Sequence, residues 1–158
     1  MSDQHTARAP RRAEMGAIAA EPASFWVASL ACVALIVGGV AQWATAFGWM
    51  AVSGTDMHGW NEVAVGVAGL ALLAVRLAFA LRLPLLIAAI AGALGAAQAG
   101  ATLSKIGSDG AVTVFGVQYR YLQPSWGLYL VLAGGIVLAC AAAMTWAATR
   151  PRRPPRSR

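Results

Sequence analysis

Apolar residues fill long stretches of this chain without the regular polar interruptions of a soluble helix or strand. No charged residue lies between Glu21 and Asp56, between Arg82 and Lys105, or between Arg120 and Arg150. Each gap has room for the roughly 20 residues that carry a helix through about 30 Å of hydrocarbon. Between Asp56 and Arg82 only Glu62 and Arg76 are charged, and they stand near the two ends of a fourth apolar run. The pattern predicts an all-α membrane protein, a four transmembrane helix bundle with spans at about 25–47, 62–81, 84–103 and 125–147. Arg82, Leu83 and Pro84 read as a very short turn, since proline fits the first position of a new helix and discourages continuation of the old one. In the longest connection, 104–124, Gly107, Asp109 and Gly110 are turn signals. Thr113, Phe115, Val117, Tyr119 and Tyr121 then alternate with other residues, which predicts a short β segment over the bundle, interrupted by Gly116.

The flanks have a different character. Residues 1–23 mix Arg, Pro, Glu and small residues without apolar periodicity, and cannot bury enough surface to offset the cost of ordering. They predict a disordered tail, and the Pro/Arg segment 149–158 predicts an extended basic one. The first span is too long for the apolar core of a cleaved signal peptide. Leu30-Ala31-Cys32 is no lipoprotein box, because Ser29 occupies the position where that motif carries leucine. A retained signal anchor fits better.

Composition agrees with a membrane location: 59% of the 158 residues are hydrophobic and 11% charged, against roughly a quarter charged in soluble domains. A net charge of +6 would suggest nucleic acid in a soluble protein, but here the arginines flank apolar runs and serve topology. Arg8, Arg11, Arg12, Arg76, Arg82 and the five arginines of the C-terminal tail fall on one side of the predicted spans. Only Lys105 and Arg120 fall on the other. Cytoplasmic segments retain positive charge, so both termini are expected inside. Trp26, Trp43, Trp49, Trp60, Trp126 and Trp146 fall near predicted span ends, as an interfacial aromatic belt requires.

Few residues could carry chemistry. Arg76 is a charge within a span, so a functional role is one reading. Snorkelling of its long stem to the headgroups is the plainer one. Glu62, Gly66, Gly69, Leu73 and Arg76 share one helical face, which leaves open an inward anion or headgroup site. Glu62 also suits a helix N-terminus. Ala31, Gly38, Gln42 and Thr45 make one small-and-polar stripe at helical spacing, and Ala91, Gly95, Gln98 and Thr102 another. Facing one another, Gln42 and Gln98 would satisfy their amides at the cost of no lipid exposure. That arrangement allows either simple helix packing or a small ligand pocket.

Asp56, Met57 and His58 lie close together, with Met50, Glu62 and Asp109 as possible neighbours, but one histidine is thin evidence for a metal. His5 falls in the opposite compartment. Cys32 and Cys140 lack CxxC or Cys/His companions, so neither zinc nor a dithiol relay is indicated, and both are expected to pack as small apolar residues. Arg150, Arg152, Arg153, Arg156 and Arg158 suit anionic lipid headgroups or act only as the topogenic signal. No cofactor or nucleic acid is implied.

The Ala, Gly, Val and Arg bias, the short loop with Gly59 and Trp60, and the last span's SWGLYL opening resemble uncharacterised small four-helix membrane proteins of high-GC bacteria, especially actinobacteria. The resemblance covers about residues 25–147 and implies a location in the bacterial plasma membrane. Small multidrug exporters also have four spans but use a glutamate within the first, which carries no charge here. With no nucleophile beside a base and no carboxylate pair, an enzyme is not expected. The expectation is a non-catalytic accessory or envelope component, alone, as a homo-oligomer or with a partner membrane protein. The alternative is a small transporter or channel with a polar site near Gln42 and Gln98.

Overall fold

A computed structural model describes residues 22–114 and 117–149, with backbone alone at 111–114 and 117–120. The predicted tails, 1–23 and 149–158, lie outside the described residues except at their margins. Four helices dominate: α1 (Ala23–Val40), α2 (Gly59–Phe79), α3 (Leu83–Asp109) and α4 (Trp126–Ala148). Each is long and apolar enough to cross a membrane. Leu30, Ile90, Leu94 and Ile136 point outward and are more than half exposed. Large apolar side chains on the outside suit lipid rather than water.

α1 packs on α2 and α4, and α3 packs on the same two, so the four make a ring with α1 and α3 across its diagonal. The α2–α3 turn is tight. Ala80 ends α2 in the left-handed region at φ 52°, with its N–H donating to Arg76 O, and Pro84 opens α3.

The helix start at Ala23 lies near the predicted start of the first span, but the span's end differs. α1 stops at Val40, and residues 42–46 turn into a strand instead of two further helical turns. The strands are β1 (Gln42–Ala46), β2 (Met50–Ser53), β3 (Ala111–Val114), β4 (Val117–Arg120) and β5 (Leu122–Pro124). β1 lies between β2 and β5 and pairs antiparallel with both. β3 and β4 form a separate antiparallel pair. α3 also runs past the predicted end of its span, to Asp109, where Tyr121 Oη donates to Asp109 O at 2.8 Å. Together the strands cap the end of the bundle opposite the start of α1 and the end of α4.

A bulge explains how the cap is seated. The β1–β2 register shifts between Gln42 and Ala44, making Trp43 the extra residue and allowing consecutive Trp43 and Ala44 both to be fully buried. Strict alternation would have turned one of them outward. The Trp43 indole Nε1–H donates to Gly38 O at 2.7 Å, satisfying a carbonyl that the end of α1 leaves open. Trp43 is therefore a core residue and not part of the interfacial belt. Trp26, Trp60 and Trp126 do stand exposed at helix ends.

Below the bulge three glycines let backbones touch. A Cβ on Gly54 or on Gly59 would collide with Gly39 O, and one on Gly39 would lie 2.7 Å from Gly59 O. On the far side α3 and α4 meet through Gly92 and Gly135, where a Cβ on either would come within 3 Å of the other's carbonyl oxygen.

Candidate functional site

Two features of the capped half stand out. The first is Glu62, one turn into α2 and fully buried. Its carboxylate fills the space above Gly95 of α3, where a Cβ would stand 2.8 Å from Oε2. Neither carboxylate oxygen has a hydrogen-bond partner among the described residues. A carboxyl group placed this way in an apolar core costs several kcal/mol as an ion, so the fold tolerates an expensive group here.

The second feature is the β1–β2 turn. Trp49 N–H donates to Ala46 O at 3.3 Å, and both central residues have positive φ, Phe47 at 53° and Gly48 at 79°. That is a type I′ turn, in which asparagine or aspartate normally precedes glycine. Phe47 has neither of their local side-chain hydrogen bonds, and the left-handed region costs a residue with Cβ about 1–2 kcal/mol. The turn is held by Phe47 N–H donating to Tyr121 O at 2.7 Å and by the Phe47 and Tyr121 rings, whose centroids are 6.2 Å apart. Yet Phe47 is 68% exposed and Trp49 75%, with Met50 beside them, so the strain presents apolar surface instead of burying it.

The residues singled out from sequence are placed as follows. Glu62, Gly66, Gly69, Leu73 and Arg76 are the buried residues of α2 together with Gly59. Arg76 thus points into the bundle, and the reading in which it snorkels from a lipid-facing position does not apply. By helical rise Arg76 is about 21 Å from Glu62, too far for an ion pair.

Gln42 and Gln98 are not brought together. Gln42 is on β1, and its amide donates to Thr45 Oγ1 at 2.8 Å and more weakly to Ala44 O. Gln98 is half-buried on α3, across the ring from α1. With the chain leaving the helix at Val40, the stripe through Ala31, Gly38, Gln42 and Thr45 is not one helical face.

Cys32 is buried against Gly69 of α2, while Cys140 is exposed, and both are free. Asp56 Oδ2 accepts from Ser53 Oγ at 2.7 Å, and His58 Nδ1 lies 2.7 Å from Met57 O. Among the described residues no group of three metal-ligating side chains forms. Arg150, Arg152, Arg153, Arg156 and Arg158 lie outside the described residues.

Sequence reasoning missed the Phe47 turn, because hydropathy counts Phe47 as the end of an apolar span. The one available signal was the Phe47-Gly48 pair, since glycine is the usual second residue of a type I′ turn.

No protein-family model matches the chain, nor does any curated protein or solved structure.

Proposed function

We propose that this chain is a non-catalytic component of the bacterial envelope, anchored in the plasma membrane by its four helices with both termini cytoplasmic. In this reading the β cap lies on the outer side and presents the Phe47–Met50 turn to a partner membrane protein. The supporting observation is the turn itself: a bulky aromatic residue kept at positive φ with its ring exposed. Strain of this kind clusters at binding and switching sites, where the surrounding structure holds it. Aromatic residues and methionine are also the side chains that recognition surfaces favour.

The test is a photo-crosslinking residue at Trp49, activated in native membranes, with one at Leu94 on the outer face of α3 as control. One discrete protein adduct from Trp49, absent from Leu94 and lost with Phe47→Asn, is expected. Adducts to lipid alone, or an adduct indifferent to Phe47, would remove the reading.

A small transporter or channel is favoured by one observation, the buried Glu62 carboxylate. Its polar centre would be Glu62 against Gly95, in place of Gln42 and Gln98. Proteoliposomes holding a proton- or cation-sensitive dye test this, and flux that is unchanged in Glu62→Gln rules it out.

A further inference from the structure

Glu62 is the one acidic side chain that the fold buries among the described residues. Both of its oxygens lie out of contact with solvent, without a hydrogen-bond donor among those residues. Gly95 makes room for them, since any larger residue there would bring its Cβ to 2.8 Å from Oε2. Ionising the carboxyl in this place strips away its water shell with nothing to replace it. Acidic residues inside a membrane bundle are rare and mark ion or proton pathways.

Among the described residues no opposite charge is at hand. α1 and α4 carry no charged residue. Their titratable side chains are Cys32, which lies beside Gly69 two turns along α2, and Tyr129 and Cys140, which are exposed. On α3, Lys105 and Asp109 are exposed and stand about 15 Å and 21 Å along the helix from Gly95. In the cap Asp56 and His58 are exposed, and Tyr121 donates to Asp109 O. Arg76 is at the other end of α2.

These surroundings select the ligand. Hard metal cations take about six oxygen ligands, and the other buried side-chain oxygen, that of Thr145, is near the far end of α4. A proton needs one oxygen only, and it removes the charge.

The place is also open to exchange. α2 meets α3 less extensively than any other neighbouring pair in the ring meets, so the bundle parts most easily along this seam. Toward the capped end the Gly95 face of α3 carries Gln98 and Thr102, one and two turns on and both half-buried. Toward the opposite end it carries buried Ala88.

We propose that Glu62 beside Gly95 is a proton-binding site, reached from the capped end past Gln98 when α2 and α3 part. The site rests on the second reading above, in which Glu62 is a polar centre, and the proton is what that centre holds. In release the Glu62 O–H bond breaks and its proton passes to water; uptake is the reverse, and no electron moves.

Infrared spectroscopy of the whole chain in liposomes reads the site. At neutral pH one carboxylic C=O stretch is expected, at the high frequency of a carboxyl without hydrogen bonds, and Glu62→Gln should remove it. On the natural sequence, isotope-labelled glutamate should shift the band and labelled aspartate should not, so the assignment does not depend on the variant folding. In heavy water the band should move as the proton exchanges. Gln98→Leu should slow that exchange roughly fivefold, the equivalent of one amide hydrogen bond in lipid, and Ala101→Leu on the exposed face should leave it unchanged.

Absence of the band from the natural chain, or its survival in folded Glu62→Gln protein, would overturn the site. Exchange unchanged in Gln98→Leu would overturn the route. A band without flux in proteoliposomes supports the proton site and removes the transporter, whereas flux without the band removes the site alone.

Discussion

Gly59→Ala tests the seam that holds the cap to the bundle. A Cβ built on Gly59 would lie 2.5 Å from the Gly54 carbonyl carbon and 2.6 Å from its oxygen, and closer still to Gly39 O. Optimal heavy-atom contact is about 3.5–4.0 Å, so α1, α2 and the Gly54 turn must separate by roughly 1 Å. All three obstacles are backbone, which no rotamer change can move aside. Overpacking costs about 1–3 kcal/mol and occasionally more, and rigid obstacles put this site at about 3 kcal/mol or above. The same displacement pulls Gly54 N–H from Ala41 O, now at 2.7 Å. For a chain of this length each kcal/mol moves the thermal midpoint by about 2–4 °C on the scale of soluble proteins, giving a fall of about 6–12 °C.

Thermal unfolding in detergent, followed by size-exclusion recovery, provides the assay. Gly100→Ala and Gly107→Ala are the controls, because nothing lies within 4 Å of a Cβ at either. Alanine also favours helix there by about 1 kcal/mol. Gly95→Ala meets only the flexible tip of Glu62 and should cost little. A Gly59→Ala midpoint within about 2 °C of the parent, less than 1 kcal/mol on this scale, would refute the close-contact argument.

Trp43→Phe removes the indole donor from Gly38 O and leaves a void beneath the cap, so a loss of about 2–4 kcal/mol is expected. An unchanged unfolding midpoint would mean that the indole bond does not hold the cap. Glu62→Leu replaces a buried carboxylate lacking described partners with an apolar side chain of similar volume, and should be neutral or stabilising by about 1–4 kcal/mol. A clear loss of stability would reveal a partner that Glu62 acquires in the membrane. Phe47→Asn should raise stability by about 1 kcal/mol, since asparagine accepts positive φ, and the same variant should lose the Trp49 adduct. Parallel loss of both stability and adduct would point to a folding role instead. For orientation, single cysteines at Ser2 and Ser157 should label only in permeabilised cells and one at Ser53 from outside, each in a background without Cys32 and Cys140. Labelling of either terminus in sealed cells would invert the topology.

The four apolar helices were legible because the charge-free runs are long and the bilayer sets a minimum length. The inward face of α2 was legible too: Glu62, Gly66, Gly69, Leu73 and Arg76 recur at helical spacing, and these positions are the buried ones. Which side of Arg76 faced lipid was not legible, since a long cationic stem suits either a headgroup or an interior. The end of α1 was lost for a different reason. A short apolar run reads alike as helix or buried strand, and only the Gly38-Gly39 pair hinted that the helix was weakening.

The Gln42–Gln98 pairing failed because matched depth does not determine which helices are neighbours. In an up-down bundle with short connections, consecutive helices pack side by side, which places α1 and α3 on the diagonal. That rule outweighs the modest benefit of an amide pair in lipid, roughly 1 kcal/mol, and Gln42 finds its bond within its own hairpin instead.

Phe47 shows where a pattern of this kind reaches its end. To hydropathy it is one more apolar residue beside a span, equivalent to the outward-facing Leu30 or Ile90. What separates it is backbone conformation: a turn whose geometry favours asparagine and glycine holds a phenylalanine, and holds it outward. In a membrane chain, apolar exposure alone carries little information, because lipid satisfies it anywhere along a helix. Apolar exposure at positive φ carries a backbone cost that the outward-facing residues of the helices do not, and Phe47 meets that cost with its ring still exposed. For that reason the functional reading rests on this turn and not on the more numerous apolar residues of the bundle's outer surface.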